Sequence, residues 1–118
     1  MYTKNVYNGM GNVQDLLRGV VGFQWDSGNA TKNWDKHDVS QSECEQVFFN
    51  LPFVVVPDTA HADSEQRYHA LGRTDSGRCL LLVFTTRDDL IRVISARDMS
   101  VRERRRYGSE DEKAHSQV

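Results

Sequence analysis

The chain has 118 residues and a mass of 13.5 kDa, which is the size of a single domain. Its 38% hydrophobic residues exclude a disordered chain, and its longest apolar run, from Cys79 to Phe84, is too short to span a membrane. The formal net charge of -2 hides an uneven distribution of basic residues along the sequence.

The start of the chain and its cysteines indicate the compartment. The first 25 residues do not follow the order of a charged start, an apolar stretch and a small-residue cleavage site that marks a secretory signal. Neither Cys44 nor Cys79 lies in a CxxC or Cys/His ligand pattern. We therefore expect a cytoplasmic protein with no membrane partner, whose two cysteines are buried thiols.

The basic residues are concentrated in the second half of the chain. Residues 1–66 hold four basic and nine acidic residues, whereas residues 67–107 hold ten basic and five acidic residues. All ten of these basic residues are arginine, whose planar guanidinium group can bind a phosphate through two parallel hydrogen bonds. This distribution allows an RNA-binding face, although the same arginines could equally lie on ordinary solvated strands and helices.

The first half of the chain predicts one strand and two helices. Residues 1–19 show little periodicity and predict a loose extension, and residues 20–25 predict a strand. A short helix is expected over residues 30–37. A second helix is expected from Ser40 or Ser42, either of which can cap it, to Asn50.

The second half predicts an antiparallel meander. A short edge strand at residues 53–56 and a polar loop at 58–65 precede three strands and a last helix. The three strands are expected at residues 66–74, 78–86 and 90–97, and the helix at residues 100–107. We therefore expect an α+β fold in which the helices pack on one face of an antiparallel sheet and leave the other face free.

Strand alternation indicates what the free face carries. Arg67, His69 and Arg73 point to the same side of their strand, because successive side chains of a strand alternate. On the last strand the same rule puts Arg92 and Arg97 on opposite sides of the sheet. Two arginines and a histidine on one face are an arrangement that suits a phosphate.

Six sequence pieces then occur in an order that resembles a known family. These are FQWD with NWDKHDVS, EQVFF followed by PD, EQRYHALGRT, GRCLLLVFTTR, IRVISARDMS and RERRRY. Over residues 23–107 the chain resembles the BrnT ribonuclease toxins of bacterial type II toxin-antitoxin systems. Residues 1–22 would then be an N-terminal extension, and residues 108–118 a flexible acidic tail.

The resemblance implies a RelE-like fold and an endoribonuclease that inhibits translation without a metal or other cofactor. It also implies a cognate ribbon-helix-helix antitoxin of the BrnA type, in a heterotetramer whose DNA binding belongs to the antitoxin and not to the toxin alone. Its substrate would be RNA.

Cleavage of RNA by its own 2′-hydroxyl needs a base, an acid and cations on the phosphate. Several candidates have a structural alternative: His37 as the end of a helix, His69 as a surface strand residue, Arg97 as a partner of Glu103, and Tyr107 as a packed anchor. The catalytic candidates are Lys36, His37, Arg67, His69, Arg73 and Arg97, and the RNA-binding candidates are Arg92, Arg105 and Tyr107. Trp25 and Trp34 are expected in the core, with stacking on RNA as the alternative.

Three positions depart from the family pattern. Ser27 and Asn29 stand where the family usually has proline and lysine, and Asp38 replaces a glycine. The missing lysine removes one phosphate contact, and Asp38 lowers the positive potential beside Lys36 and His37. A catalytically weak member that only binds its antitoxin or RNA is therefore the alternative, and a phosphate-ligand sensor is a third hypothesis.

Overall fold

The computed structural model describes residues 6–7, 11–12, 16–58 and 65–116. Of the expected loop at 58–65, residues 59–64 lie outside the described residues. The strands are β1 Val6–Tyr7, β2 Gly11–Asn12, β3 Gly22–Phe23, β4 Val54–Asp58, β5 Arg67–Arg73, β6 Cys79–Arg87 and β7 Leu90–Asp98. The helices are α1 Lys32–His37, α2 Gln41–Val47 and α3 Val101–Ser116. The strands form one sheet in the order β2-β1-β4-β5-β6-β7-β3, which confirms the α+β class.

The predicted meander is confirmed. Strands β5, β6 and β7 pair antiparallel, and a two-residue turn joins β6 to β7 because Arg87 lies opposite Leu90. Both turn residues, Asp88 and Asp89, have positive φ angles of 50° and 67°. Such turns favour aspartate among the residues other than glycine, so the two aspartates set the register of the hairpin.

The two ends of the sheet differ from the prediction. Strand β4 is not an edge strand, because β1 pairs with it in parallel and places Val6 opposite Val54. Residues 1–19 therefore contribute two strands instead of only a loose extension. The strand expected at residues 20–25 shortens to β3, which pairs in parallel with β7. Both pairings join distant parts of the chain, so local patterns could not predict them.

Helix α2 forms where its capping residues predict it. The Ser40 hydroxyl accepts a hydrogen bond from the Glu43 amide at 3.1 Å, and the Glu43 carboxylate accepts one from the Ser40 amide at 3.0 Å. This reciprocal pair satisfies two amides of the first turn. The helix ends at Val47, before the predicted end at Asn50.

Helices lie on both faces of the sheet, and this corrects the expectation that one face is free. Helix α2 covers a large core on one face, which we name the α2 face. On the opposite face, the α3 face, Tyr107 and Met99 cover Leu71 and Leu81. The connection through Met99 and Ser100 is short, so α3 turns back over the sheet at once.

Helix α3 is also longer than predicted. It continues past Gly108 to Ser116, whereas the sequence predicted its end at residue 107. The guanidinium of Arg73 lies 3.7 Å from the carboxylate of Asp111 and links this extension to β5. The cost of about 1 kcal/mol for one glycine in a helix is therefore not enough to end α3.

A β-bulge corrects the predicted faces of β7. Val83 lies opposite Ser95, whereas the next residue of β6, Phe84, lies opposite Val93, so Ile94 has no opposite residue. The extra residue reverses the alternation beyond it. Arg92 and Arg97 therefore both lie on the α3 face, and the prediction that they lie on opposite sides is wrong.

None of the described helices is long and apolar enough to cross a membrane. Both cysteines are free, and Cys44 is buried as predicted, whereas Cys79 is only partly buried. Burial raises the pKa of the Cys44 thiol to about 12, which keeps that thiol protonated.

Helix α2 lies so close to β5 that Gly72 cannot carry a side chain. A Cβ atom there would lie 2.5 Å from Cγ1 of Val47. We expect Gly72→Ala to lower the free energy of unfolding by about 1–3 kcal/mol, because the helix must move away from the sheet. Gly108→Ala is the matched control, since no atom lies within 4 Å of its added Cβ. In chemical denaturation the free energy of unfolding of Gly108→Ala should rise by about 0.5–1 kcal/mol. Equal effects of the two variants would contradict the close packing of α2 on β5.

Candidate functional site

The α3 face brings together five of the predicted site residues. Arg67, His69, Arg73, Arg92 and Arg97 all project from it, along β5 and β7. A half-open pocket of about 190 Å³ lies on the same face between the sheet and α3. It is lined by Val54, Val56, His69, Leu71, Leu81, Arg102, Glu103 and Arg106.

His69 is held by an acidic partner that the sequence did not indicate. Its Nε2 lies 3.2 Å from Oδ2 of Asp58, whose side chain is 9% exposed, whereas the imidazole is 40% exposed. The carboxylate orients the imidazole through Nε2 and leaves Nδ1 for another partner. Asp58 reaches His69 because β4 pairs with β5, and only that pairing could have indicated it.

Arg67 lies two residues before His69, on the same side of β5. Its Nε atom is buried and has no hydrogen-bond partner among the residues that the structure describes. Alternate residues of a strand are about 7 Å apart, so one phosphodiester unit could contact both side chains.

Three other arginines of this face are bound to carboxylates. Arg97 donates to both oxygens of Glu103 at 2.9 and 3.0 Å, and Arg92 donates to both oxygens of Asp26 at 2.8 and 3.1 Å. Arg87 binds Glu65 in the same way at 2.6 and 2.9 Å. The hydrogen bonds from Arg97 lower the pKa of Glu103 to about 2. Arg97 is therefore paired with Glu103, which was the structural alternative to its catalytic role.

Lys36 and His37 lie elsewhere. Both are exposed at the end of α1, and the His37 carbonyl accepts a hydrogen bond of 3.2 Å from Arg78 at the start of β6. Arg78 lies near the Arg73 end of β5, and Leu71 separates Arg73 from His69 on the same face of that strand. The structure therefore does not bring Lys36 or His37 to the imidazole.

Arg78 has a structural role that the sequence did not indicate. Its guanidinium binds the carboxylates of Asp98 at 2.8 Å and of Glu43 at 3.2 Å. It also donates to the Asp38 carbonyl at 2.8 Å. Its hydrogen bond with Asp98 is the main cause that raises its pKa. One side chain thus joins the end of α1, the start of α2 and the end of β7.

Tyr107 does not face solvent, so the prediction that it contacts RNA is wrong. Its side chain is buried on the α3 face, and its hydroxyl donates a hydrogen bond of 2.6 Å to the Pro52 carbonyl. Burial raises the pKa of this hydroxyl. We expect Tyr107→Phe to lower the free energy of unfolding by about 1–2 kcal/mol in urea denaturation, since a buried carbonyl loses its donor. Its RNA binding should equal that of the parent chain, and a loss of RNA binding at unchanged stability would contradict the anchoring role.

The tryptophans divide between core and surface. Trp25 packs against the core of the α2 face, as predicted, and its Nε1 donates to the Glu45 carboxylate at 2.8 Å. Trp34 is 55% exposed, so the expectation that it lies in the core is wrong.

Asn29 has a structural reason for its departure from the family pattern. It is buried, and its amide nitrogen donates to the carbonyls of Gln24 and Val93 at 3.0 Å each. Asn29 thereby fastens the loop before α1 to β7.

Asp38 occupies a backbone conformation that favours glycine, with a φ angle of 59°. We expect Asp38→Gly to raise the free energy of unfolding by about 0.5–1 kcal/mol in chemical denaturation, because glycine adopts this conformation without steric cost. Asp35→Gly in helix α1 is the control and should lower stability. A lower stability of Asp38→Gly would show that the aspartate side chain stabilises the end of α1.

A family model described as the ribonuclease toxin BrnT of a type II toxin-antitoxin system matches residues 25–103. The chain belongs to the BrnT family. The predicted family is therefore confirmed, and the matched range includes Asp58, Arg67 and His69. A search of curated proteins found no match. As a BrnT member the chain is a ribonuclease toxin whose partner is a protein antitoxin.

Proposed function

We propose that this BrnT-family chain is an endoribonuclease that cuts RNA on the α3 face without a metal ion and thereby inhibits translation. The observation that carries this proposal is the imidazole of His69, held by buried Asp58 and flanked by Arg67, whose Nε has no hydrogen-bond partner within the described part of the chain. A proton acceptor and a guanidinium group on one face are groups that cleavage by the ribose 2′-hydroxyl requires.

In this reaction Nδ1 of His69 takes the proton of the 2′-hydroxyl. The 2′-oxygen then forms a bond to phosphorus while the bond from phosphorus to the 5′-oxygen breaks. The departing 5′-oxygen takes a proton from water, and the proton held by His69 neutralises the hydroxide that remains, which returns the imidazole to its starting state. Arg67 binds the non-bridging oxygens, on which negative charge accumulates in the transition state. The products are a 2′,3′-cyclic phosphate and a 5′-hydroxyl end.

The other arginines of the face would bind the flanking phosphates. The guanidinium of Arg73 has a loose contact of 3.7 Å with Asp111, so RNA can compete for it. Arg92 and Arg97 would have to exchange their carboxylate partners for phosphate, which weakens their contribution. Arg105 is exposed on α3 and can contact RNA outside the pocket. The proposal assigns no proton transfer to Lys36 or His37, because neither lies beside His69.

The antitoxin of this system would be a BrnA-type ribbon-helix-helix protein encoded beside the toxin gene, in a heterotetramer. The arginines of the α3 face would bind its acidic residues, so that antitoxin and RNA compete for one surface. The toxin alone would not bind DNA. Cleavage of translated RNA would take place in the cytoplasm.

A binding module without catalysis is the second candidate. The observation that favours it is that Arg87, Arg92 and Arg97 are each already paired with a carboxylate in two-point contacts. A face with so many compensated charges would bind an antitoxin more readily than it would stabilise a reacting phosphate.

Growth after induction distinguishes the two candidates. We expect the parent chain to arrest bacterial growth, Arg67→Ala to abolish the arrest, and co-expression of the antitoxin to prevent it. Arg18→Ala is the control, since Arg18 is an exposed arginine beside Leu17, which packs on the core of the α2 face. Normal growth with a soluble parent chain at the same expression level would support the binding module and contradict the ribonuclease.

A further inference from the structure

The pocket on the α3 face combines an apolar floor with a cationic rim. Its floor consists of Val54, Val56, Leu71 and Leu81 from three neighbouring strands. We propose that this pocket holds one unpaired base of the RNA substrate while Arg102 and Arg106 bind the phosphate attached to that nucleotide. This assignment rests on the proposed ribonuclease function and adds to it a site that selects the nucleotide beside the cut.

The two arginines of the rim are available for an anion. Arg102 and Arg106 are one helical turn apart, so both project from the same side of α3, and both are exposed. Neither guanidinium has a carboxylate partner among the described residues.

The acidic residue between them does not neutralise this pair. Glu103 accepts from Arg97 at 2.9 and 3.0 Å and from the Ser100 amide at 2.8 Å, so its charge is already compensated. Two guanidinium groups at one wall of the pocket, neither bound to a carboxylate of the described residues, therefore favour a phosphate.

The floor determines what accompanies the phosphate. A free phosphate would contact the arginines but leave the aliphatic floor uncovered, and an apolar ligand would leave the arginines without an anion. An unstacked nucleotide satisfies both, because its base has apolar faces for the floor and polar edges for the rim.

His69 connects this pocket to the proposed chemistry. The imidazole lines the pocket, and it is also the group that contacts Asp58 and lies on the same side of β5 as Arg67. A base held on Val56 and Leu71 therefore belongs to a nucleotide next to the bond that is cut. The pocket would then determine sequence preference at one position flanking the cleavage site.

Binding of an uncleavable RNA tests the pocket separately from catalysis. The probe is a fluorescent single-stranded oligonucleotide with 2′-O-methyl riboses, which lacks the nucleophile, and affinity is measured by anisotropy. Val56→Phe fills the pocket and should weaken binding about tenfold, the loss of one well-contacted base. Val101→Phe is the matched control, because Val101 is an exposed residue of α3 that does not line the pocket, and its affinity should equal that of the parent.

The rim is tested by a second variant that does not alter the core. In Arg102→Ala with Arg106→Ala, the slope of log affinity against log salt should fall in magnitude by about 1.4, the value for two lost contacts with single-stranded phosphates. Both side chains are exposed, so this variant keeps the fold even if Val56→Phe does not, which thermal unfolding checks for each protein.

The outcomes separate the pocket from the ribonuclease function. Equal affinity of folded Val56→Phe and the parent, or an unchanged salt slope in the double variant, would overturn the nucleotide pocket. Cleavage by the parent with identical cut sites in Val56→Phe would also overturn it while the ribonuclease function stands. Pocket-dependent binding by a parent that cuts no RNA would support the pocket and contradict the ribonuclease.

Discussion

We expect the His69→Ala variant to cleave RNA about 10²- to 10⁴-fold more slowly than the parent chain, the usual contribution of a positioned general base. The methyl group of alanine can take no proton from the 2′-hydroxyl, whereas Arg67 still binds the phosphate. The loss should therefore appear in kcat, with KM changed little. Steady-state cleavage of a labelled RNA oligonucleotide at a series of substrate concentrations measures the two constants.

Two further variants control this experiment. His37→Ala removes an exposed histidine at the end of α1, away from His69, and should cleave at the parent rate. Asp58→Asn keeps the size of the orienting side chain but removes its charge, so it should lower kcat less than His69→Ala does. Equal activity of His69→Ala and the parent would assign proton transfer to another group and contradict the proposed site.

The second large effect is on stability. We expect Arg78→Ala to lower the free energy of unfolding by about 3 kcal/mol, because charged hydrogen bonds to two carboxylates and to a helix end are lost together. The guanidinium is 26% exposed and contacts Asp98 and Glu43. Urea denaturation followed by circular dichroism measures the change.

The pH dependence of Arg78→Ala provides an additional check. The hydrogen bonds from Arg78 lower the pKa of Asp98. Burial alone would raise the pKa of Glu43, but its hydrogen bonds with Ser40 and Arg78 outweigh burial and lower that pKa. Carboxylates with a lowered pKa in the folded state stabilise the fold above their unfolded pKa, and this contribution is lost as pH falls through the folded pKa. The stability difference between parent and variant should therefore be largest at neutral pH and shrink in acid.

Arg105→Ala is the matched control for Arg78→Ala. It removes an exposed arginine of α3 and should change stability by less than about 0.5 kcal/mol. A loss of similar size in both variants would mean that Arg78 does not join the three elements.

Local signals predicted most of the fold. Turn residues such as Asp88 and Asp89 and the capping pair of Ser40 and Glu43 act within a few residues, so the meander and α2 followed from the sequence. The pairing of β1 with β4 depends on contacts between distant residues. The side of the sheet that α3 covers depends on the direction in which the chain leaves β7. Neither the β1–β4 pairing nor the position of α3 is therefore marked by a local sequence pattern.

The site was predictable only to the extent that strand alternation is regular. Arg67 and His69 share a face because β5 has no irregularity. The bulge at Ile94 reversed the alternation in β7 and moved Arg92 to the face of Arg97. Asp58 required the β4–β5 register, and the role of Arg78 required three elements to meet, so neither has a signal in the sequence alone.

The most direct test of metal-free cleavage on the α3 face is incubation of the purified chain with total RNA in EDTA, beside Arg67→Ala and His69→Ala. We expect the parent to cut RNA in the presence of the chelator, the fragments to end in 2′,3′-cyclic phosphate, and both variants to lose this activity. Intact RNA with the folded parent, or cleavage that EDTA abolishes, would contradict a metal-free ribonuclease on the α3 face.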